Sequence, residues 1–140
     1  MLSEADRELL DSCRNGVLGT VAKDGRPHLV PVCYARLGDE VVIAIDEKPK
    51  QDRKLARVRN IERDGRATLL VDRYSDDWTQ LAWVRVDAAA TVEPRGASHP
   101  DALAELRARY PQYREMALEE LPLIRLRPER VVSWRWSDAA

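Results

Sequence analysis

The feature that most constrains the fold is a series of short apolar segments, separated by turns that contain glycine, over residues 16–46. Residues 16–22 are a predicted strand, and residues 23–26 are a hairpin turn in which Gly25 supplies the positive φ that such turns require. Residues 27–36 form the returning strand, residues 37–40 a second turn, and residues 41–46 a third strand rich in β-branched side chains. The sequence therefore predicts a three-stranded antiparallel meander.

The rest of the chain alternates between helical and strand patterns. Helices are predicted over residues 3–15, 51–63 and 101–110, the second because Leu55, Val58 and Ile61 recur at helical spacing. Strands are predicted over residues 67–73, 121–127 and 131–136, and residues 78–92 form a strand pair or one bent strand. Antiparallel strands with helices at the corners favour a closed or partly closed barrel, which removes exposed edges. We predict one mainly β domain over residues 1–140, with peripheral helices.

Composition narrows the range of partners. The chain has 140 residues and a net charge of −1, so it has no overall field that attracts nucleic acid or an anionic membrane. No apolar run approaches the roughly 20 residues that span a bilayer, and the acidic, polar start lacks a signal-peptide pattern, so we expect a cytoplasmic protein. Two histidines and two isolated cysteines, Cys13 and Cys33, predict buried thiols and no metal site.

Basic residues are concentrated before and within the second predicted helix. The segment 48–59 contains Lys48, Lys50, Arg53, Lys54, Arg57 and Arg59. Spacings of three or four residues place several of them on one helix face; these are Lys50, Arg53, Lys54 and Arg57. The start of a helix also favours anions through its N–H groups and its dipole. The segment predicts either a site for a phosphate or polycarboxylate, or an ordinary solvated basic face.

Two other segments are candidates for a ligand site. Pro31 interrupts an apolar strand and cannot donate to a β-ladder, so it predicts either an edge strand or a bulge that turns backbone groups toward a ligand. His28 directly follows a turn and is either exposed or a general acid. Trp78 follows the polar loop after Asp72, where it would stack on an aromatic ligand or plug one end of the barrel.

Motifs for nucleophilic or phosphate chemistry are absent. The sequence has no Gly-x-Gly-x-x-Gly, no P-loop, no Gly-x-Ser-x-Gly and no paired histidine–carboxylate cluster. Hydride chemistry fits better, because a redox cofactor carries the reaction and the protein needs only to position it. The alternative is a non-enzymatic module whose basic face binds RNA or a protein, although near-zero net charge and few aromatic residues beside the basic segment argue against RNA.

The order of several short motifs resembles the pyridoxamine-phosphate-oxidase-like superfamily. The hairpin over residues 16–28 followed by Val30-Pro31-Val32, then Arg57-x-x-Asn60-Ile61 and Asp64-x-Arg66-Ala67-x-Leu69-Leu70-Val71-Asp72, is similar to the superfamily's opening stretches. Four later motifs resemble one branch of the superfamily, the coenzyme F420-dependent oxidoreductases of the PPOX class. They are Asp76-Asp77-Trp78, Trp83-Val84-Arg85-Val86, Tyr110-Pro111-Gln112-Tyr113 and Arg127-Pro128-Glu129-Arg130. The resemblance covers nearly the whole chain.

This resemblance implies a split β-barrel homodimer of the flavin- and deazaflavin-binding type, with two cofactor sites at the interface. Arg57 and nearby basic side chains would hold the phosphate tail, the second strand would line the ring, and Trp78 would cover the ring from the partner chain. The implied cofactor-binding residues are His28, Leu29, Val30, Pro31, Ile45, Asp46, Lys48, Lys50, Arg53, Arg57, Val71, Asp72 and Trp78. No catalytic residue and no metal ligand is implied.

The implied cofactor is coenzyme F420, with FMN as the alternative. The F420 tail carries a phosphate and several glutamate carboxylates, so the basic residues between positions 48 and 59 suit it better than they suit the single phosphate of FMN. The expected activity is hydride transfer from reduced F420 to an electron-poor C=C, C=N or related bond of a small organic substrate. An FMN-binding oxidase-like protein and a non-catalytic cofactor-binding protein are the alternatives.

Overall fold

The computed structural model describes residues 1–46 and 54–136. Within these residues the helices are α1 (Glu4–Ser12), α2 (Ala56–Arg63) and α3 (Pro100–Arg109), and the strands are β1 (Gly16–Val21), β2 (Pro27–Val32), β3 (Ala35–Leu37), β4 (Glu40–Ala44), β5 (Arg66–Arg73), β6 (Ala82–Glu93) and β7 (Leu123–Arg135). Short 3-10 helices occupy Trp78–Gln80, Gly96–Ser98 and Pro111–Glu115. None of the helices in the described ranges is long and apolar enough to cross a membrane.

The strand order shows how the sheet closes. All the described strands form one antiparallel sheet in the order β2-β1-β5-β6-β7-β4-β3. β2 and β3 lie at opposite ends of this order, yet only Cys33 and Tyr34 separate them in sequence. Since each residue spans at most about 3.6 Å, this short connection brings the two edges of the sheet close together. The sheet is therefore a barrel that is split between β2 and β3, and the predicted split β-barrel is confirmed.

Both predicted hairpins over residues 16–46 are present, but they do not form a three-stranded meander, because the returning strand is broken. β1 and β2 form one hairpin, with Gly25 at φ 89°, and β3 and β4 form a second, with Gly38 at φ 65°. The predicted returning strand 27–36 breaks at Cys33 and Tyr34, because Tyr34 bonds to helices instead of to a strand. Its hydroxyl donates to the carbonyl of Leu10 at 2.6 Å, and its backbone N–H donates to the hydroxyl of Tyr110 at 3.1 Å.

Two apolar cores lie on the two faces of β4. Val41 and Ile43 belong to the core inside the barrel, and Val42 and Ala44 belong to the core beneath α3. A strand that is covered on both faces has a continuous apolar sequence, which explains the unbroken run from Val41 to Ile45. The interior core also receives Leu9 and Leu10 from α1, and Val58 and Ile61 from α2.

The second helix begins later than predicted. α2 starts at Ala56 instead of residue 51, and its N-cap Leu55 has an extended backbone, with φ −60° and ψ 149°. Lys54 is therefore not helical and does not share a helix face with Arg57. Its ammonium group instead contacts the carboxylate of Glu62 at 3.0 Å. Residues 51–53, which the same prediction included, lie outside the described residues.

Two strand predictions in the second half are also wrong. β7 is one strand of 13 residues instead of two, because Pro128 is accommodated at a bulge. Ala88 pairs with Pro128 and Asp87 with Arg130, so Glu129 is the extra residue. Trp78 begins a 3-10 helix instead of a strand, since the side chain of Asp77 caps that turn by accepting from the Thr79 N–H at 3.1 Å. The third helix ends before Pro111, as predicted.

Candidate functional site

A cavity of about 210 Å³ lies between the C-terminal ends of β2 and β4. The last residues of β2 form one wall, the end of β4 forms another, and α2 and the 3-10 helix after α3 each contribute one side chain. The lining residues are Asn15, Pro31, Val32, Cys33, Ile43, Ala44, Asp46, Arg57 and Tyr113. The cavity thus combines an apolar strand wall with one cation, one carboxylate and one phenol.

The position of Arg57 is set by a buried asparagine one turn further along α2. Asn60 is 5% exposed, and its Nδ2 donates to Oγ1 of Thr20 on β1 at 3.0 Å. Its Oδ1 accepts from Arg63 at 2.9 Å, and Arg63 also donates to the carbonyl of Val21 at 2.8 Å. These bonds fix α2 against β1, with Val58 and Ile61 packed into the core. Arg57, in the first turn of α2, is thereby held at the cavity.

Arg57 provides positive potential that is not neutralised by the described residues. Its Nε is buried and has no hydrogen-bond partner among them. An unpaired buried donor costs roughly 1–3 kcal/mol. The N-cap Leu55 has no side-chain acceptor, and the first turn of α2 has no acidic residue, so the helix dipole adds to the same potential. This wall of the cavity favours an anionic or hydrogen-bond-accepting group.

The pair Asp46–Tyr113 is the second polar feature of the cavity. Tyr113 is 4% exposed, and its hydroxyl donates to Oδ2 of Asp46 at 2.9 Å. Burial, together with the negative charge of Asp46, raises the pKa of Tyr113 above its ordinary value, so the phenol remains a donor at neutral pH. Among the described residues, Asp46 and Arg57 form no ion pair with each other or with any other side chain. The cavity therefore contains a carboxylate and a guanidinium that do not neutralise each other.

Some of the residues predicted to bind a cofactor line this cavity. They are Pro31, Asp46 and Arg57. Pro31 lies on β2, whose one partner in the described part of the chain is β1, so the edge-strand interpretation of this proline is the correct one. Lys48, Lys50 and Arg53 lie outside the described residues.

Other predicted site residues face the barrel interior. Ile45 is 3% exposed and Val71 is 0% exposed, and Val30 packs against the same interior core. His28 is half-buried on β2, and its Nδ1 is buried without a partner among the described residues. None of these four side chains lines the cavity.

The remaining predicted residues lie on the outer surface. Leu29 is 68% exposed on β2, Trp78 is 59% exposed, and Asp72 is exposed near the end of β5. Leu29 lies across the sheet from Gly19, where a Cβ atom would come within 3.2 Å of its Cδ2, so the glycine leaves room for the leucine. A second, larger cavity of about 510 Å³ lies on this outer face, lined in part by Gly19 and Leu29.

Six residues of the cavity wall are absent from the predicted cofactor-binding set, namely Asn15, Val32, Cys33, Ile43, Ala44 and Tyr113. Tyr113 is 67 positions from its partner Asp46, so local pattern gave no sign of the contact. The family resemblance includes the motif Tyr110-Pro111-Gln112-Tyr113 but implies no role for it. Cys13 and Cys33 are half-buried free thiols, and no group of three or more metal-binding side chains occurs in the part of the chain that the structure describes.

Comparisons with known proteins identify the fold and a family. The family model described as pyridoxamine 5'-phosphate oxidase matches residues 2–135. A conserved hypothetical protein of Mycobacterium tuberculosis is 23% identical, with 96% of this chain and 86% of that chain covered and a TM-score of 0.78. An FAD-binding protein of Mesorhizobium loti is 22% identical (94% and 94% covered, TM-score 0.68), and a haem storage protein of Vibrio cholerae is 16% identical (96% and 94% covered, TM-score 0.71). At these identities the structural likeness concerns the fold alone.

Proposed function

Because the chain belongs to the pyridoxamine 5'-phosphate oxidase family, we propose that it binds a flavin-like redox cofactor in the cavity between β2 and β4. The observation that carries this proposal is the buried, unpaired Nε of Arg57 at the start of a helix that has no capping side chain. A phosphate or carboxylate would supply the acceptor that this donor lacks. Removing the unpaired donor's cost and adding a charged hydrogen bond both favour binding.

The described residues offer two kinds of contact to such a cofactor. Arg57 would hold an anionic group, and the apolar wall of Pro31, Val32 and Ala44 would pack against a ring and exclude water from it. A bound flavin or deazaflavin supplies the hydride chemistry, which explains why the cavity needs no nucleophile of its own. In this proposal the protein binds and orients the cofactor, and the electron-poor bond of a small organic substrate receives the hydride.

Within this class we propose coenzyme F420 as the cofactor and FMN as the alternative. The support is the number of basic residues that shortly precede Arg57 in the sequence, namely Lys48, Lys50 and Arg53. A tail with one phosphate and several carboxylates uses more of these charges than a single phosphate does. Lys54 does not add to this count, because it is already paired with Glu62 at 3.0 Å.

We also propose that the protein is a homodimer through the outer face of β2, β1 and β5. Leu29 is 68% exposed and Leu70 is 39% exposed on this face, and Val17 lies between the two strands that carry them. Near the start of β6 and the end of β7, Trp83 pairs with Trp134, and Trp136 is 41% exposed. Exposed apolar side chains grouped on one face mark interaction sites. A second copy would cover it and would complete a cofactor site at the interface.

Haem is a second candidate ligand, because the Vibrio cholerae relative is a haem storage protein. Haem iron needs an axial ligand, and this chain has two histidines. His99 is already engaged, with Nδ1 at 3.2 Å from Arg125 and Nε2 at 3.4 Å from Glu93. The axial ligand would therefore have to be His28, which is half-buried.

The test is a titration of the purified protein with F420, FMN and haem side by side. We expect F420 to bind at least tenfold more tightly than FMN, a difference of about 1.4 kcal/mol, and its affinity to fall as salt concentration rises. We also expect reduced F420, followed by its absorbance, to be oxidised by an electron-poor alkene substrate. Equal or stronger FMN binding would replace F420 by FMN. Binding of neither would overturn the proposed function, and tight binding of haem alone would favour the storage alternative.

A further inference from the structure

The second charged group of the cavity, Asp46, accepts a hydrogen bond from a buried donor, Tyr113. Tyr113 lies on the 3-10 helix after α3, and its ring packs edge-on against Tyr110 with centroids 5.4 Å apart. Its backbone carbonyl accepts from Nε of Arg107 at 3.1 Å. A tyrosine fixed at both ring and backbone fixes the oxygen that it contacts. The carboxylate of Asp46 is therefore oriented, although the residue itself is exposed.

Tyr113 hydrogen-bonds one oxygen of this carboxylate, and among the described residues nothing donates to the other. The hydroxyl donates to Oδ2 of Asp46, and no described residue donates to Oδ1. An ionised carboxylate accepts hydrogen bonds and donates none. The group that would complete this wall is thus a hydrogen-bond donor, whereas Arg57 requires an acceptor. A ligand that is anionic throughout would be attracted by Arg57 and repelled by Asp46.

From this polarity we propose that the Asp46–Tyr113 pair determines specificity by accepting a hydrogen bond from a ring N–H group that is flanked by carbonyls. Arg57 donates to an anionic or hydrogen-bond-accepting group of the same ligand, so the two charges orient it. The inference rests on the proposed function and deepens it, because flavins and deazaflavins share such an N–H in their pyrimidine-dione ring. A uracil-like substrate carries the same chemistry without a tail.

The size of the cavity agrees with this assignment. A volume of about 210 Å³ is many times the roughly 10–15 Å³ that one water molecule needs on the same measure. That is room for one end of a fused ring system. A site that takes one ring edge selects by the donors and acceptors on that edge, since a carboxylate that the ligand covers without offering a donor loses binding energy.

The experiment compares FMN with its N3-methyl derivative, in which a methyl group replaces the N–H, and uracil with 3-methyluracil. Dissociation constants are measured for the full chain as wild type, Asp46→Ala and Tyr113→Phe. We expect wild type to bind at least one methylated compound tenfold or more weakly than its parent. Asp46→Ala should bind parent and methylated compound equally, and Tyr113→Phe should lose part of the discrimination. Discrimination within the flavin pair assigns the N–H to the cofactor, and discrimination within the uracil pair alone assigns it to a substrate.

Matched controls separate the role of this pair from general effects. Asp76→Ala removes an exposed carboxylate outside the cavity, and Tyr74→Phe changes a tyrosine that is 71% exposed, so both should keep the wild-type discrimination. Because Asp46 is exposed, its replacement should leave the fold intact even if Tyr113→Phe does not. Equal binding of parent and methylated compounds by wild type, or discrimination that persists in Asp46→Ala, would overturn the inference. If FMN still binds in that case, the proposed cofactor site survives; if neither FMN nor F420 binds, the proposed function fails with it.

Discussion

Replacement of Arg57 by methionine should weaken cofactor binding without reducing the stability of the protein. Arg57 is half-buried, its Nε has no partner among the described residues, and its stem lies beside the cavity. Methionine keeps most of the apolar stem and removes the guanidinium. A residue whose charge stabilised the fold would behave in the opposite way, since its loss would lower the free energy of unfolding.

The magnitudes follow from the burial of this donor. A hydrogen bond to a charged group contributes roughly 1.5–3 kcal/mol, so the dissociation constant for F420 should rise about 10- to 150-fold, toward the lower end because the side chain is partly exposed. Removing an unpaired buried donor should raise the free energy of unfolding by about 1 kcal/mol. For a chain of 140 residues, that is an increase in Tm of about 3 °C.

The assay pairs fluorescence titration of the cofactor with thermal and urea unfolding of the cofactor-free protein. Arg59→Met is the matched control, because Arg59 is exposed on the same helix and does not line the cavity. It should change the dissociation constant less than about threefold and the Tm by less than about 1 °C. An Arg57→Met protein that binds F420 normally, or that loses stability by more than 1 kcal/mol, would refute the assignment of Arg57 to an anion site.

Three further predictions concern the interface, the helix contacts and alkaline pH. Leu29→Glu should convert the dimer to a monomer in sedimentation experiments, since it places a charge on a side chain that is 68% exposed on the proposed interface; an unchanged dimer would locate the interface elsewhere. Tyr110→Phe should lower the free energy of unfolding in urea by about 2 kcal/mol, because the hydroxyl accepts from the buried N–H of Tyr34 at 3.1 Å and donates to the carbonyl of Arg14 at 2.8 Å. Burial raises the pKa of Tyr34, so its proton is held more tightly in the folded state; stability should be retained below about pH 10 and lost as pH rises above it. Tyr34→Phe should reduce that slope in a pH series of urea titrations.

The parts of the fold that depend on local chemistry were predicted correctly. Gly25 and Gly38 mark the two hairpin turns with positive φ, and Pro111 follows the end of α3. The family resemblance, which depends on the order of several motifs, is confirmed by a match over residues 2–135. Its finer part, the F420-dependent class, stays a prediction.

The features of the fold and the site that depend on contacts between distant residues could not be predicted from the sequence pattern. Pro128 interrupts an apolar segment and predicted a turn, whereas β6 accommodates it at a bulge. Tyr34 lies within a run typical of a strand, but its bonds to α1 and to Tyr110 end β2 before it. Tyr113 meets Asp46 only because the chain returns past α3, so neither residue type nor spacing revealed the pair. Arg57 was found because the resemblance pointed to it, and the basic residues before it lie outside the described part of the chain.

The late position of β7 in the chain has a consequence for biosynthesis. Among the described strands, the β3–β4 hairpin joins the rest of the sheet through β7 alone, which pairs with β4 at its start and with β6 along its length. About 80 residues separate Ala44 from Leu123, and at roughly 5–20 residues per second a ribosome needs about 4–16 s to make them. During that interval β4 lacks its partner β7, so the barrel is incomplete and the apolar faces of β4 are not fully covered. Aggregation or chaperone capture of the nascent chain should therefore be greatest just before β7 emerges.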